Sequence, residues 1–280
     1  VSARSFAIQP VNVCFAVAVL VPVVAPPSVA AERTMSPQRQ REVLRQALND
    51  FDQAVSLAAT EPQRASELYS RAAAGFTALI ESGLRSAGLE YNLGNTYLRL
   101  GQLGRAIVHY RRALLLDPSN DKIRANLEYA RRQVEPYIPD TGAARLAQTL
   151  LFVHYNTSLR GRFVACALCS IGGWLLLALR LRFAHRVLTT GGLAGIVAGL
   201  WLAASIWWQV RADENYPPAV VVDQEVILRA GRGEGYEPAL RQPMGPGVEL
   251  RVLQTRGDWA EVRLPNGITG WLPLSAIERV

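Results

Sequence analysis

The chain is poor in the residues from which chemical centres are built. Its 280 residues include three cysteines and three histidines. That is too few cysteines for a disulfide scaffold and a thin supply of ligands for a metal centre. Charged residues are also scarce, at 19% against 50% hydrophobic, where a soluble domain usually carries about a quarter charged. The balance excludes a disordered chain, which needs low hydrophobicity and high net charge. It implies that apolar residues are concentrated in lipid-facing segments.

Catalytic constellations are missing too. His109, His154 and His185 fall in three different segments, and none has a Ser or Cys nucleophile and a third orienting group close in sequence. There is no phosphate-binding glycine loop, because Gly191, Gly192 and Gly195 lie inside an apolar run, where small residues serve helix packing. Cys166 and Cys169 form a Cys-x-x-Cys, yet they too sit in an apolar run, away from the electropositive, exposed setting that activates a thiol. They read as small apolar residues on one helix face. The expectation is a protein that is not an enzyme, with no catalytic, metal-binding or cofactor-binding residues.

The net charge is +7 and the pI about 9.7, which by itself would invite a nucleic-acid reading. Five of the seven net charges fall in residues 143–216, the most apolar part of the chain, and the flanking segments are nearly neutral. A basic excess placed there reads as membrane anchoring. No nucleic-acid partner is expected.

Four pieces follow in order. Arg4 precedes an apolar run, Val11–Val24, broken only by Asn12 and Pro22, and small residues lead to Ala30. Residues 1–30 are therefore expected to be an export signal, with a retained N-terminal anchor as the alternative. Residues 36–135 are helical. Ser36-Pro37 supplies an N-cap and a first-turn proline, and Val43, Leu44, Ala47, Leu48, Phe51 and Val55 recur at helical spacing. Glu61-Pro62 breaks that helix, a second follows over 65–82, and Gly83 is placed for a left-handed C-cap.

Residues 143–216 are the membrane part. Leu146, Leu150, Leu151 and Tyr155 share one face, as in a juxtamembrane helix lying on the bilayer surface over 143–162. Two uncharged apolar runs over 163–179 and 187–210 are expected to span the membrane. A basic loop, residues 180–186, joins them, and Trp207 and Trp208 sit where an interfacial aromatic belt would be. Residues 217–280 read as β. Apolar strands are expected at 219–222, 226–229, 248–253, 259–264 and 268–272, with a long loop over 230–247. Asn266-Gly267 gives a hairpin in which both turn residues take positive φ. Five short strands imply a small, partly open barrel.

Two stretches resemble known families. Leu93-Gly94, Tyr97, Gly101, Ala106, Tyr110, Ala113 and Pro118, within residues 87–120, resemble a tetratricopeptide repeat. Glu90 stands where tryptophan is common. Ala72, Phe76 and Leu79 resemble the second helix of a degenerate preceding repeat, and residues 121–134 would form a capping helix, so that residues 31–142 make a short α-solenoid. Ile227-Leu228-Arg229, Gly257-Asp258-Trp259-Ala260-Glu261-Val262 and Gly270-Trp271-Leu272-Pro273 resemble a bacterial SH3 domain, with a long insertion around Arg232–Arg241. The order of signal, repeats, two-helix membrane hairpin and terminal SH3-like β-barrel resembles the BatE family of the Bat aerotolerance group. That resemblance implies a non-catalytic component of the bacterial inner membrane, assembling with protein partners that include von Willebrand A-domain membrane proteins. Two spans would put both soluble domains on the same, extracytoplasmic side.

Two candidate binding faces follow. In the repeats the first helices line a concave groove, and by position Tyr91, Asn92, Asn95, Arg99, Lys122, Asn126 and Tyr129 would face a partner segment. Asn side chains can hold a peptide backbone, and Arg99 or Lys122 can receive a carboxylate. In the terminal domain Trp259 alternates with Ala260, Val262 and Leu264 and so shares the polar face with Glu261 and Arg263. With Trp271 and Tyr236 it would make an aromatic platform for a peptide or cell-wall fragment.

Overall fold

The computed structural model describes residues 35–139, 159–183 and 185–280. The export signal expected over 1–30 and most of the juxtamembrane helix expected over 143–162 lie outside the described residues. Five helices come first: α1 (Pro37–Leu57), α2 (Pro62–Glu81), α3 (Ala87–Arg99), α4 (Leu103–Leu116) and α5 (Asp121–Arg131). Local chemistry sets their ends. The Ser36 hydroxyl accepts from the Arg39 N–H at 3.3 Å, and the Asn120 side chain accepts from the Ile123 N–H at 3.4 Å. Pro37 and Pro62 open α1 and α2. Gly83 and Gly101 follow α2 and α3 at φ 90° and 74°, a left-handed conformation that glycine alone takes without a Cβ penalty.

Each helix packs on the next, α1 through α5. Ala47, Ala72, Phe76, Leu79 and Leu93 share the core of the first three. Helices α3 and α4 approach closely at Gly94, where an added Cβ would lie 2.7 Å from the Tyr110 ring. Glu90, in the place where the repeat commonly carries tryptophan, is buried. Its Oε2 lies 2.7 Å from His109 Nδ1, and the imidazole stacks on Tyr97 with centroids 5.3 Å apart. A mutually satisfied polar pair thus stands where an aromatic is usual, as buried polar groups require.

Helices α6 (Leu159–Arg180) and α7 (Arg186–Asn215) pack against each other. Their stretches Gly161–Arg180 and Arg186–Ala212 are long and apolar enough to cross a membrane. Only 11% and 17% of their most apolar stretches are buried. Their seam is made of small residues: an added Cβ on Gly195 would lie 3.0 Å from the Cys169 carbonyl oxygen, and Cys166 Sγ donates to the Gly199 carbonyl at 3.3 Å. Arg162, only 2% exposed, donates to Ser205 Oγ at 3.2 Å and to Gln209 Oε1.

The remaining residues form one antiparallel sheet of order β4-β3-β2-β1-β5. Its strands are β1 (Pro218–Val221), β2 (Glu249–Arg256), β3 (Trp259–Arg263), β4 (Thr269–Pro273) and β5 (Ile277–Arg279). The sheet is open rather than a closed barrel, because its end strands β4 and β5 do not pair with each other. The strand expected at 226–229 is reduced to bridges, Val226 with Met244 and Arg229 with Pro238 and Trp271. Arg229 exchanges two backbone hydrogen bonds with Trp271 on the outer edge of β4, at 2.9 and 2.7 Å, without extending into a strand, and Leu228 and Met244 beside it are fully buried. The β5 strand, absent from the sequence reading, pairs with β1. The hairpin turn differs as well. Gly267 takes φ 89° but Asn266 does not take positive φ; the Gly267 N–H donates to the Leu264 carbonyl at 2.9 Å. Pro265 is the reason, since its fixed negative φ suits the first central position of an ordinary turn.

One row of the sheet carries the charged contacts with the helices. Glu249, Val220 and Glu278 are direct partners across β2, β1 and β5, so they share one face. Val220 is fully buried in the cluster that holds Ile107 and Val108. On one side of it Glu249 takes Arg111 at 2.9 Å and Arg131 at 2.6 Å; on the other, Glu278 takes Arg112 at 2.9 Å. The opposite face of β1 buries Ala219 and Val221 in the sheet's own core.

Candidate functional site

The helix series α1–α5 carries a cleft of about 530 Å3. Its wall is drawn from the odd-numbered helices: Phe51 from α1, Tyr91, Asn95, Leu98 and Arg99 from α3, Asn126 and Tyr129 from α5, and Gln133 just beyond. Tyr91, Asn95 and Arg99 are spaced four apart, which stacks them along one stripe of α3.

A hydrogen-bond network fixes the floor. The Asn126 amide donates to Tyr91 Oη at 3.1 Å and to Asn95 Oδ1 at 2.9 Å, and the fully buried Tyr110 donates to the same Asn95 oxygen at 2.8 Å. Burial pushes the Tyr110 phenol well above its ordinary pKa, so it stays a neutral donor. With those bonds made, the Asn95 amide donors, the Asn126 carbonyl and the Tyr91 hydroxyl hydrogen are uncommitted. They are the complement of a peptide backbone, held in place before a ligand arrives. Arg99 is exposed and, among the described residues, is the one charged side chain in the wall.

Five of the seven groove residues expected from sequence therefore line one cleft: Tyr91, Asn95, Arg99, Asn126 and Tyr129. Asn92 and Lys122 do not. Asn92 lies one position off the stripe, with its carbonyl accepting from Thr96 Oγ1 at 2.7 Å, and Lys122 is exposed in the first turn of α5, one turn before the cleft begins. Phe51, Leu98 and Gln133 are lining residues that sequence reasoning missed. Phe51 carried a signal only as a member of the apolar stripe of α1, and Gln133 carried none.

In the β module Trp259 pairs with Pro273, and Trp271 pairs with Glu261. Both tryptophans thus occupy the outer face, half-exposed, while Ala260, Val262, Leu264 and Leu272 fill the core. The Tyr236 ring lies against Gly231, leaving no room there for a Cβ, and its carbonyl accepts from the Arg229 guanidinium at 2.9 Å. Among the described ring contacts none joins these three aromatics. No group of three His, Cys, Asp or Glu side chains among the described residues is placed to hold a metal ion.

The tetratricopeptide repeat family matches residues 87–120, which comprise α3, α4 and the turn leading into α5. No curated protein and no solved structure matches the chain. The repeat is a fold associated with protein–protein interaction.

Proposed function

We propose that this protein is a non-catalytic, membrane-anchored scaffold that holds an extended segment of a partner protein in the solenoid groove. The observation that carries the reading is the Tyr110–Asn95–Asn126–Tyr91 network, which aims unused amide donors and acceptors into a cleft built from three successive first helices. Arg99 would pair an acidic side chain of that segment. Helices α6 and α7 anchor the scaffold. If both span, the chain returns to the side it left, and the α4–β1 docking requires the solenoid and the β module to be on one side. Arg180, Arg182 and Arg186 between the spans favour the cytoplasm, which puts both soluble parts outside it. The order of parts resembles the BatE family, and membrane proteins with von Willebrand A domains are the partner class that the resemblance implies. Co-purification from membranes tests the groove: Asn95→Ala with Arg99→Ala should release the partner, and an unchanged yield would sink the reading.

A second reading rests on the outward-facing Trp259 and Trp271. In it the β module, of bacterial SH3 type, binds a peptide or a cell-wall fragment. Sedimentation of the full chain with isolated cell wall, lost in Trp259→Ala and kept in the groove variant, would favour it.

A further inference from the structure

We propose that the groove continues into a second cleft at the junction with the β module, and that the two together receive one extended segment carrying an acidic side chain at one end and an Arg or Lys at the other. The inference rests on the groove reading above and adds to it a site and a charge pattern.

The second cleft has a volume of about 700 Å3 and is lined by Leu103 at the head of α4, Gln133 and Glu135 beyond α5, Gln224 and Glu225 beyond β1, and Gln242, with three prolines. Gln133 lines the solenoid groove as well, so the two clefts meet at that side chain. Their charges are opposite. Among the described residues, the groove wall holds Arg99 and no carboxylate, and the junction wall holds Glu135 and Glu225 and no cation. Both glutamates are exposed, and neither side chain is in any described ion pair or hydrogen bond. Glutamine amides line the rest, matching backbone donors and acceptors, and prolines add apolar surface without adding N–H groups that need partners.

The junction is held open by the fold. The Gly245 N–H donates to the Glu135 carbonyl at 3.0 Å, which ties the segment after α5 to the β module. Gly247, at φ 100°, packs so tightly that an added Cβ would lie 2.6 Å from Val134 and 2.9 Å from Ile107. Neither wall need move to form the site, which lowers the ordering cost of binding. Two carboxylates reject phosphate-bearing ligands by like charge. A cationic side chain on an extended peptide is the occupant that complements them.

The test uses the full chain in detergent micelles and fluorescent, unstructured peptides with both ends blocked. Each carries one Glu, and a single Arg is moved one position at a time; a parallel series has Gln in place of Arg. Fluorescence anisotropy reads affinity. At one Glu–Arg spacing the Arg peptide should bind about three- to ten-fold more tightly than its Gln counterpart, as expected for two exposed ion pairs, and the preference should shrink with added salt. Glu135→Gln with Glu225→Gln should abolish that preference, so that the Arg and Gln peptides bind alike. Asn95→Ala with Arg99→Ala should weaken both series. An Arg preference that survives loss of the two glutamates, or none at any spacing while the Gln series still binds through Arg99, overturns the second cleft and leaves the groove standing. Failure of both series to bind overturns the groove reading with it.

Discussion

Replacing Glu249 by Gln should loosen the solenoid from the β module without unfolding either. Its carboxylate takes the Arg131 guanidinium through two bonds, at 2.6 and 3.1 Å, and Arg111 at 2.9 Å. The Glu249 side chain is 22% exposed and those of Arg111 and Arg131 are 23% and 39%. The site thus falls between a buried pair, whose disruption costs about 3–5 kcal/mol, and a surface pair worth about 0–1 kcal/mol. An intermediate cost of about 2 kcal/mol corresponds to roughly a thirty-fold rise in opening. Hydrogen exchange read by mass spectrometry on the full chain should show that acceleration in β1 and β5, with α2 and α3 unchanged. Burial would raise the Glu249 pKa, but Arg111 and Arg131 outweigh it and hold the carboxyl below its usual range. A carboxylate depressed in the folded state stabilises above its unfolded pKa, about 4.3, and that contribution fades as pH falls through the folded value. The ratio of variant to wild-type exchange should therefore be full above about pH 5 and shrink on acidification below about pH 4. Equal exchange of β1 in the two proteins at neutral pH would refute the role given to this latch.

Three further outcomes are expected. Gly104→Ala should separate α4 from β1 at a cost of about 1–3 kcal/mol, because the new Cβ would collide with the Val221 carbonyl oxygen and lie 2.9 Å from Val222 Cα, backbone atoms that cannot rotate away; faster β1 exchange with an intact α3–α4 pair would show it. His109→Leu should lower stability by about 1–3 kcal/mol by leaving the buried Glu90 without its partner, whereas Glu90→Leu with His109→Leu should recover most of the loss in denaturant titration. Trp259→Ala should cost about 1 kcal/mol rather than the 3–5 of a core aromatic, since the ring lies outside the sheet core; a collapse in the Tm of the β module would contradict that placement.

Local pattern determined much of this protein. Helical spacing marked α1 and α2, and the repeat residues from Leu93 to Pro118 marked the α3–α4 hairpin. The stripe of Tyr91, Asn95 and Arg99 was legible because side chains four apart on a helix must share a face. Alternation placed Ala260 and Val262 inward and Trp259 outward, since a strand has period two. The apolar runs of α6 and α7 were equally plain, because a span needs only length and hydropathy.

What each face meets was decided by the tertiary structure. Arg111, Arg112 and Arg131 carry no local signal of the glutamates they meet, and nothing local ties Arg131 to a glutamate 118 positions away. One signal of the docking was present. Ala219–Val222 is an unbroken apolar run, as in a strand buried on both faces. That pattern says that a second surface exists without saying which. The burial of Leu228 and Met244 in the β module, the burial of Arg162 between α6 and α7, and the two clefts meeting at Gln133 share that cause. Periodicity reports which way a side chain points along its own element, whereas its partner is chosen by how distant elements pack.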